Sequence, residues 1–418
     1  MTRQSPAMNL SVDEALDRIL QQVPVLEPVP VPLSQALGLV LAEEVRSPAD
    51  LPGFDNSAVD GYAVRSQDFL AGEALLEVVG EAFAGRAPEL PVASGQALRI
   101  TTGAPMPAGA DAAVMVEDTR LKGDRVLARG PVSAGQNVRR AGEALREGQL
   151  VLSPGRVLDP AALGMAAAVG RPTLRCHPRP KVSVLSTGDE LVEPGFPLRT
   201  GQVYDSNSYT LEALVRLAGG EPSRVGLLED RLEVLKRALR QSAEDADLVL
   251  TSAGVSMGER DLVRTALEDL GGGLDLWKVR MRPGKPLAFG SLGGVPVIGL
   301  PGNPVSSMVG FEVFVRPALR KMAGHPAEAR RVVRVRMAEG VDKPEALRVF
   351  ARCRLAESAD GSWRAHLTGP QGSGILLSML EAQVLAILPE GVARVEAGDE
   401  VEVRLLDHLD GWRPLVRP

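Results

Sequence analysis

Between about residues 180 and 325 the sequence alternates short apolar runs with longer amphipathic ones. Three apolar runs have the length and β-branched content of buried strands, and they cover residues 182–187, 247–253 and 295–300. The spacing of apolar residues predicts helices around residues 206–218, 229–243, 260–270 and 304–323. Strands that alternate with helices form βαβ units, so this segment predicts a mostly parallel, doubly wound α/β sheet.

The remaining segments predict other kinds of structure. Helical spacing in residues 9–23 and 160–170 indicates two helices, and a further helix is predicted around Ser34–Leu41. Between about residues 48 and 144, and again after Pro326, short apolar strands alternate with Gly, Pro and Asp turns. We therefore expect a multidomain chain in which β-rich modules accompany the α/β domain, the last of them a small barrel or sandwich.

Composition excludes several classes of function for this chain of 418 residues. The formal net charge is −6 and only 3% of the residues are aromatic, which argues against nucleic-acid binding. Two cysteines, Cys176 and Cys353, are too few for a disulfide scaffold or a Cys-based metal centre, and we expect a cytoplasmic protein. Residues 286–311 carry no charge, but four prolines and six glycines interrupt them, so no membrane helix is predicted.

Ligands of an open parallel sheet bind beyond the carboxyl ends of its strands, and three such ends here run into loops of small residues. The loops are Leu185–Leu191, Thr251–Gly258 and Gly299–Ser307. Glycine lets backbone N–H groups converge on an anion, although glycines also serve simply to make tight turns. Three hydroxyl-bearing loops in one sheet favour an anion site. The chain contains no Walker loop, dinucleotide fingerprint or His-Glu-x-x-His motif.

A run of cations precedes the third loop. Lys278, Arg280 and Arg282 alternate along the chain, so a strand here would carry all three on one face. A fourth cation, Lys285, follows in a Pro-Gly-Lys-Pro sequence. Such a set either attracts a polyanion or consists of the ordinary charged side chains of a solvent-exposed edge strand.

Carboxylates also lie near these loops. Asp189 and Glu190 follow the first predicted strand, Asp247 opens the second, and Asp205 precedes a predicted helix. Acids and cations beside a phosphate-like loop suggest Mg²⁺ bridging, because Mg²⁺ is commonly held by one or two carboxylates plus phosphate oxygens. Taken singly, each acid is better explained as a helix cap or a turn residue, and the spacing around Asp60 indicates a turn.

The chain resembles the molybdopterin molybdenumtransferase (MoeA) family, whose relatives include the gephyrin E domain. The matching motifs occur in the family's order: PGFDNSAVDGYA at 52–63, ITTGAP at 100–105, NVRR at 137–140, STGDEL at 186–191, YDSN at 204–207, PGKP at 283–286 and LPGNPVS at 300–306. So many long motifs in register make the resemblance specific.

The resemblance implies an elongated homodimer of four-domain subunits. These would be a mixed N-terminal domain (1–47 and 145–180), an inserted β-rich domain (48–144), a MogA-like molybdopterin-binding α/β domain (181–325) and a C-terminal β domain (326–418). It also implies Mg²⁺-dependent insertion of molybdate into adenylylated molybdopterin with release of AMP, in molybdenum cofactor biosynthesis. The pterin would lie close to the β-rich domain of the partner subunit. A non-catalytic molybdopterin-binding or scaffold protein of the same family is the alternative.

Carried over motif by motif, the resemblance also assigns roles to individual residues. It implies Asp60, Glu190, Asp247 and Lys285 as catalytic residues. Metal ligands would be Asp189, Glu190 and Asp247. The implied substrate-binding residues are Thr102, Arg139, Ser186, Thr187, Gly188, Asp205, Ser252, Gly254, Ser256, Arg282, Pro286, Pro301, Gly302, Asn303, Ser306, Arg352 and Ser373. Of the residues implied, Lys285, Pro286, Ser306, Arg352 and Ser373 would serve the molybdate.

Two positions depart from the family's motifs. The chain has Ala144 where the family commonly has an aspartate, so a carboxylate is absent next to Glu143. It has Ala253 where the family has glycine, which adds a methyl group where backbone and ligand approach closely. Molybdate and tungstate are not distinguished by the sequence, since the two dianions are nearly alike in size and charge.

Overall fold

A computed structural model describes residues 8–69, 72–252, 262–326, 332–358 and 361–406. The chain divides into two compact units. The first comprises Met1–Pro30, Gly38–Ala42 and Arg175–Pro418, and the second comprises Val31–Leu37 and Glu43–Leu174. The finer division into four domains stays a prediction. No helix in the described ranges combines the length and apolarity needed to cross a membrane.

The first elements of the chain are short apart from one helix. They are β1 (Met8–Leu10), α1 (Val12–Gln22), β2 (Val29–Pro32), β3 (Val40–Leu41) and β4 (Val45–Arg46). Ser11 and Glu14 form a capping box that starts α1, because each side chain accepts the other's backbone N–H. The helix predicted around Ser34–Leu41 is wrong: a 3₁₀ turn at Leu33–Gln35 is followed by Gly38, whose φ of 77° leaves the helical region before β3 begins.

The second unit is built mainly on β-strands, as predicted. Its elements include β5 (Asn56–Ser57), β6 (Gly61–Val64), β7 (Glu73–Ala82), β8 (Gln96–Ile100), β9 (Ala112–Met115), β10 (Thr119–Lys122), β11 (Arg125–Arg129), β12 (Val138–Arg139), β13 (Leu150–Leu152) and α2 (Pro160–Ala168). Six described strands form a sheet of order β10-β11-β7-β8-β6-β9. Strand β6 lies so close to β9 that a Cβ on Gly61 would meet the Val114 oxygen at 1.8 Å, so only glycine fits there.

The segment after β14 (Thr173–His177) forms the predicted α/β domain. Its elements are β15 (Lys181–Thr187), β16 (Leu191–Val192), β17 (Val203–Tyr204), α3 (Asn207–Leu217), β18 (Glu221–Leu228), α4 (Leu232–Asp245), β19 (Leu248–Ser252), α5 (Leu262–Asp269), β20 (Gly273–Val279), β21 (Met281–Arg282), β22 (Pro286–Leu292), β23 (Val295–Leu300), α6 (Pro304–Gly310) and α7 (Arg316–Met322). Seven described strands form a sheet of order β1-β20-β22-β23-β19-β15-β18. Strands β18, β15, β19 and β23 are parallel, whereas β22 is antiparallel to both neighbours. The parallel strands therefore bring their carboxyl ends to one edge.

The C-terminal region is a closed barrel, which confirms the predicted β-barrel-like fold. Its elements are β24 (Val332–Met337), β25 (Val341–Asp342), β26 (Arg348–Glu357), β27 (Trp363–Leu367), α8 (Leu377–Leu380), β28 (Val384–Leu388), β29 (Arg394–Val395) and β30 (Glu400–Leu405). Five described strands close in the order β26-β27-β24-β30-β28, because β28 pairs back onto β26. The closed ring leaves these strands without a free edge.

The predicted cationic strand is divided between two sheets. Lys278 belongs to β20 of the α/β sheet, but Arg282 belongs to β21, which pairs parallel with β26 of the barrel. The alternation itself holds, since Trp277, Val279 and Met281 are buried on the other side. The prediction of a single strand that carries three cations is therefore wrong. Arg282 lies on the strand that pairs with the barrel.

Candidate active site

The carboxyl ends of β15, β19 and β23 lie side by side. Ser186 is aligned with Ser252, and Ser252 with Leu300, in the parallel ladders. The first and third of the predicted loops therefore leave from the same edge of the sheet, from the strands on either side of β19. The predictions for Gly254, Ser256 and Ala253 concern residues outside the described ranges.

The amino end of α3 ties these strand ends together. The Asn207 amide Nδ2 donates to the Ser252 hydroxyl and to the Gly302 carbonyl oxygen, each at 2.7 Å. The Ser208 hydroxyl donates to the Ser186 hydroxyl at 2.8 Å. Ser186 and Ser252 are both buried, so their hydroxyls connect the loops to α3. Asn207 and Ser208 were not singled out from the sequence, although the Tyr-Asp-Ser-Asn motif before a helix was the available signal.

Three buried polar atoms at this edge have no hydrogen-bond partner among the described residues: Asp205 Oδ2, Asn207 Oδ1 and Thr251 Oγ1. Asp205 is only 1% exposed, and its other oxygen accepts the Ser208 N–H at 3.0 Å. Buried acceptors without donors raise the free energy of the folded state by about 1–3 kcal/mol each. The edge therefore suits a ligand that brings hydrogen-bond donors.

An acidic cluster, defined as Asp189, Glu190 and Asp230, follows two neighbouring strands. The Asp230 N–H donates to Asp189 Oδ1 at 3.4 Å. Partial desolvation raises the pKa of Asp230, and the charges of Asp189 and Glu190 raise it further. The Glu190 carboxylate folds over Gly188, where a Cβ would lie 2.8 Å from Oε2. The cluster holds excess negative charge that a cation would relieve.

Asp230 could not be predicted from the sequence, because the residues of the preceding strand, β18, do not have the pattern of a strand. Strand β18 contains a proline, a glycine and an arginine, and much of it is exposed. The acidic cluster is not a complete metal cage: no group of three His, Cys, Asp or Glu residues in the described ranges has the arrangement of a metal site. One or two carboxylates are nevertheless the usual protein contribution to Mg²⁺ that is also held by phosphate oxygens.

Asp247 does not join this cluster. Its carboxylate accepts the Lys181 N–H at 2.8 Å, and its own N–H donates to the Lys181 oxygen at 2.8 Å. Because β15 and β19 are parallel, Lys181 and Asp247 mark the amino edge of the sheet. Roughly 16 Å of strand, at about 3.3 Å per residue, separates Asp247 from Ser252 at the carboxyl edge. The structure therefore does not bring Asp247 together with Asp189 and Glu190.

Arg352 carries a buried positive charge. Its side chain is 1% exposed, with Nε donating to the Ser378 hydroxyl at 3.1 Å and Nη2 to the Gly372 oxygen at 3.1 Å. Nη1 has no hydrogen-bond partner among the described residues. Burial, helped by the positive charge of Arg282, lowers the pKa of Arg352 to about 10. Within the described ranges no carboxylate pairs with Arg352, Arg282 or Lys285.

Three chain segments meet around this charge. The Asn303 amide donates to the Ser373 hydroxyl at 3.3 Å, and the Val305 N–H donates to the Ser373 oxygen at 3.1 Å. A Cβ on Gly284 would lie 3.5 Å from the Ser306 oxygen, so the turn that carries exposed Lys285 packs on the start of α6. We call the set Arg282, Lys285, Ser306, Arg352 and Ser373 the cationic cradle. Cations and hydroxyls on converging segments suit a tetrahedral oxyanion.

The other predicted residues of this half lie at the same strand ends. Thr187 and Pro301 are buried, Gly302 and Asn303 are exposed, and Pro286 begins β22 beside Lys285.

In the second unit, Asp60 and Thr102 are brought together at the surface. Asp60 Oδ1 accepts the Thr102 N–H at 2.7 Å and the Thr102 hydroxyl at 3.0 Å. These two bonds lower the pKa of Asp60 and keep it ionised. Arg139 is exposed on β12, which pairs with β5 shortly before Asp60 in the chain.

The Ala144 position is exposed in the same unit. The Ala144 N–H donates to the Leu51 oxygen at 2.9 Å. The neighbouring Glu143 carboxylate accepts the Arg140 N–H at 2.9 Å, which holds it in its own turn. Glu143 is therefore already engaged with the backbone.

Three family descriptions match successive parts of the chain. Residues 10–170 match the MoeA N-terminal region (domain I and II), residues 183–321 a probable molybdopterin binding domain, and residues 334–406 the MoeA C-terminal region (domain IV). The chain is 40% identical over 402 residues to molybdopterin molybdenumtransferase 2 of Mycobacterium tuberculosis, which covers 94% of this chain and 98% of that protein. It is 36% identical over 409 residues to molybdopterin molybdenumtransferase of Haemophilus influenzae, and this match covers 96% of this chain and 100% of that protein.

Solved structures agree with these matches. Two structures of the molybdopterin biosynthesis MoeA protein from Pyrococcus horikoshii superpose on this chain with TM-scores of 0.79 and 0.76, at 32% and 30% sequence identity. They cover 96% and 95% of this chain and 100% of their own. Sequence and fold thus agree over nearly the full length, and the chain belongs to the molybdopterin molybdenumtransferase (MoeA) family.

Proposed function

We propose that this protein inserts molybdate into adenylylated molybdopterin with Mg²⁺ and releases AMP, a step of molybdenum cofactor biosynthesis. The cationic cradle carries the proposal. A guanidinium that is 1% exposed, without a carboxylate partner in the described ranges and repelled by Arg282, is unfavourable until an anion joins it. Molybdate is such an anion, a tetrahedral dianion that hydroxyls and cations can surround.

In this proposal the cradle binds and orients the molybdate. Arg352 Nη1 and the Lys285 ammonium neutralise its charge, and the Ser306 and Ser373 hydroxyls donate to its oxygens. The pterin part of the substrate lies along the strand ends, where the unpaired Asp205 and Asn207 oxygens accept its N–H groups. Both partners of the reaction are then held by groups that are already in place, which lowers the entropy cost of bringing them together.

The acidic cluster fits Mg²⁺ through Asp189 and Glu190, with Asp230 beside them, because their mutual repulsion favours a cation. When bound, Mg²⁺ neutralises phosphate charge during cleavage of the adenylyl bond. Glu190 orients water toward the phosphate. Ionised Asp60, whose pKa is lowered by Thr102, stabilises positive charge or accepts hydrogen bonds rather than shuttling protons near neutral pH.

We propose further that the enzyme is a homodimer in which Asp60 of one protomer serves the site of its partner. Co-expression of Asp60→Asn and Lys285→Gln subunits tests this arrangement. A trans site restores about a quarter of wild-type activity, because half of the randomly formed dimers carry one intact site. A cis site leaves the mixture as inactive as either variant alone.

The reaction itself is tested with purified protein and adenylylated molybdopterin. AMP release is expected to require both molybdate and Mg²⁺, and Lys285→Ala provides the inactive control. If wild-type protein supplied with both releases AMP no faster than Lys285→Ala, the proposed function is wrong. The proposal also places the protein in the cytoplasm, between a molybdopterin adenylyltransferase that supplies its substrate and molybdoenzyme maturation proteins that receive its product.

A molybdopterin-binding protein without turnover is the second candidate, and Ala144 favours it. The carboxylate is absent there, and Glu143 is held by the Arg140 N–H. This candidate predicts tight pterin binding without AMP release, and release gained in Ala144→Asp. Wild-type turnover that Ala144→Asp leaves unchanged excludes it.

A further inference from the structure

Gln371 lies in the turn before Ser373 and is bonded to the backbone of Arg352. Its Oε1 accepts the Arg352 N–H at 2.8 Å, and its Nε2 donates to the Arg352 oxygen at 3.2 Å and to the Gly369 oxygen at 3.0 Å. The ladder between β26 and β27 ends at Cys353 and Leu367, one residue short of Arg352. The Arg352 oxygen still accepts the Thr368 N–H at 3.0 Å, so the Gln371 amide takes the place of a strand acceptor for the Arg352 N–H.

The same turn is also held from the other direction. Arg352 Nη2 donates to the Gly372 oxygen at 3.1 Å, so backbone and side chain of Arg352 both bind the turn. Ser373, the next residue, contacts the Asn303 amide and the Val305 N–H. Loss of the Gln371 bonds would remove one of the restraints on the separation between the Arg352 guanidinium and the Ser373 hydroxyl.

We infer that Gln371 is a positioning residue of the molybdate site, whose amide fixes the Ser373 hydroxyl relative to the Arg352 guanidinium. The inference rests on the proposed function for the identity of the anion. Gln371 touches neither substrate in this assignment. Its removal weakens molybdate binding because two donors no longer hold the spacing that a tetrahedral dianion needs.

Gln383, which precedes β28, offers a control because its side chain bonds to the same strand β26. Its Oε1 accepts the Leu355 N–H at 2.7 Å, so it also satisfies a backbone N–H of β26, three residues farther along. Gln371→Met and Gln383→Met each remove an amide that accepts a β26 N–H and leave side chains of similar size, and Gln371→Met also removes the bonds to the Arg352 and Gly369 oxygens. A purely structural role predicts that neither substitution acts on molybdate alone.

The kinetic experiment measures AMP release at varied molybdate and at varied adenylylated molybdopterin. In Gln371→Met the KM for molybdate rises about five- to tenfold, while kcat and the KM for the pterin substrate stay within about twofold. Gln383→Met leaves all three within about twofold. An unchanged KM for molybdate in Gln371→Met, or equal changes in the two variants, overturns the inference. If Gln371→Met does not fold by circular dichroism, Gln371→Asn, whose shorter amide cannot span both Arg352 atoms, takes its place.

Equilibrium dialysis with radiolabelled molybdate alone separates this inference from the proposed function. A Kd raised about five- to tenfold in the Gln371 variant and unchanged in Gln383→Met supports the positioning role, even if wild-type protein releases no AMP. In that case only the proposed reaction fails. Wild-type protein that binds no molybdate overturns both.

Discussion

The cationic cradle and the acidic cluster lie in the same half of the chain, but their charges are held differently. In the cradle, Arg352 is buried and bound by Ser378 and Gly372, and the segments around it are joined through Ser373. In the acidic cluster the carboxylates are exposed, and one weak bond of 3.4 Å links Asp230 to Asp189. Arg352 and Ser373 of the cradle are thus held by several hydrogen bonds, whereas the acidic carboxylates are held by few.

The difference indicates how each region recognises its ligand. In the proposed function, the fixed Arg352 guanidinium and Ser373 hydroxyl favour an anion whose oxygens match their spacing. A loose cluster of acids accommodates a metal ion whose remaining ligands arrive with the substrate, as Mg²⁺ commonly requires. Substitutions in the cradle should therefore change activity sharply, whereas substitutions among the acids should change its dependence on Mg²⁺ and pH.

The largest effect is expected from Arg352→Met. We expect molybdate-dependent AMP release to fall about 100-fold or more, because one preorganised cation is lost from the site. The Tm should fall by only a few degrees, since a buried guanidinium with no carboxylate partner in the described ranges contributes little to stability. Steady-state kinetics and thermal unfolding check both parts. Near wild-type turnover would show that the buried charge serves the fold alone.

The next effect concerns Mg²⁺. In Glu190→Gln the Mg²⁺ concentration for half-maximal activity should rise about tenfold, because one anionic ligand is lost. Asp247→Asn is the control: it lies at the amino edge of the sheet, so its Mg²⁺ dependence should match that of the wild type. A shift in Asp247→Asn equal to that of Glu190→Gln would contradict the separation of the two acids.

A smaller effect is expected at the support of the strand ends. Asn207→Ala leaves the Gly302 oxygen without its donor, so the free energy of unfolding should fall by about 1–3 kcal/mol. Ser242→Ala, which removes a buried hydroxyl without a partner among the described residues, should change it by less than about 0.5 kcal/mol. Urea unfolding measures both. Equal values for the two variants would show that the Asn207 bonds do not hold the edge together.

The smallest effect is a pH dependence at Asp230. Its pKa is raised in the folded protein, so its protonated form contributes stability at low pH that is lost as pH rises through the folded pKa. The Tm of Asp230→Asn should therefore equal that of the wild type near pH 3 and be about one or two degrees higher at pH 7. Added Mg²⁺ should remove the difference at pH 7. If Asp230→Asn had the higher Tm at low pH instead, the pH dependence would have the opposite sign and the repulsion within the acidic cluster would be refuted.

Patterns among residues that are close together in the sequence predicted much of the fold. The strands at 182–187 and 295–300 and the helix at 160–170 were predictable because periodicity and Pro or Gly boundaries act locally. Strand β18 was not, because its polar residues form a strand only through pairing with β15. The helix predicted at Ser34–Leu41 failed for a similar reason, since β3 exists through its pairing with β14.

The candidate site was predictable where it follows from strand direction. Asp189 follows β15 and lies at the carboxyl edge, whereas Asp247 precedes β19 and lies at the other edge, so direction alone separates them. Asn207 and Gln371 act through bonds to residues far away or on another strand, so the Tyr-Asp-Ser-Asn motif marks Asn207 but not its partners, and no local pattern marks Gln371. Burial of Arg352 depends likewise on the closed barrel.

Strand β21 gives the two exposed cations of the cradle separate supports. Its two residues pair with β26, so Arg282 is held by the barrel, whereas Lys285, three residues later, lies next to the start of β22 in the α/β sheet. The spacing between these two cations is therefore set by two separate hydrogen-bond ladders. A change in either ladder would alter that spacing without replacing a cation.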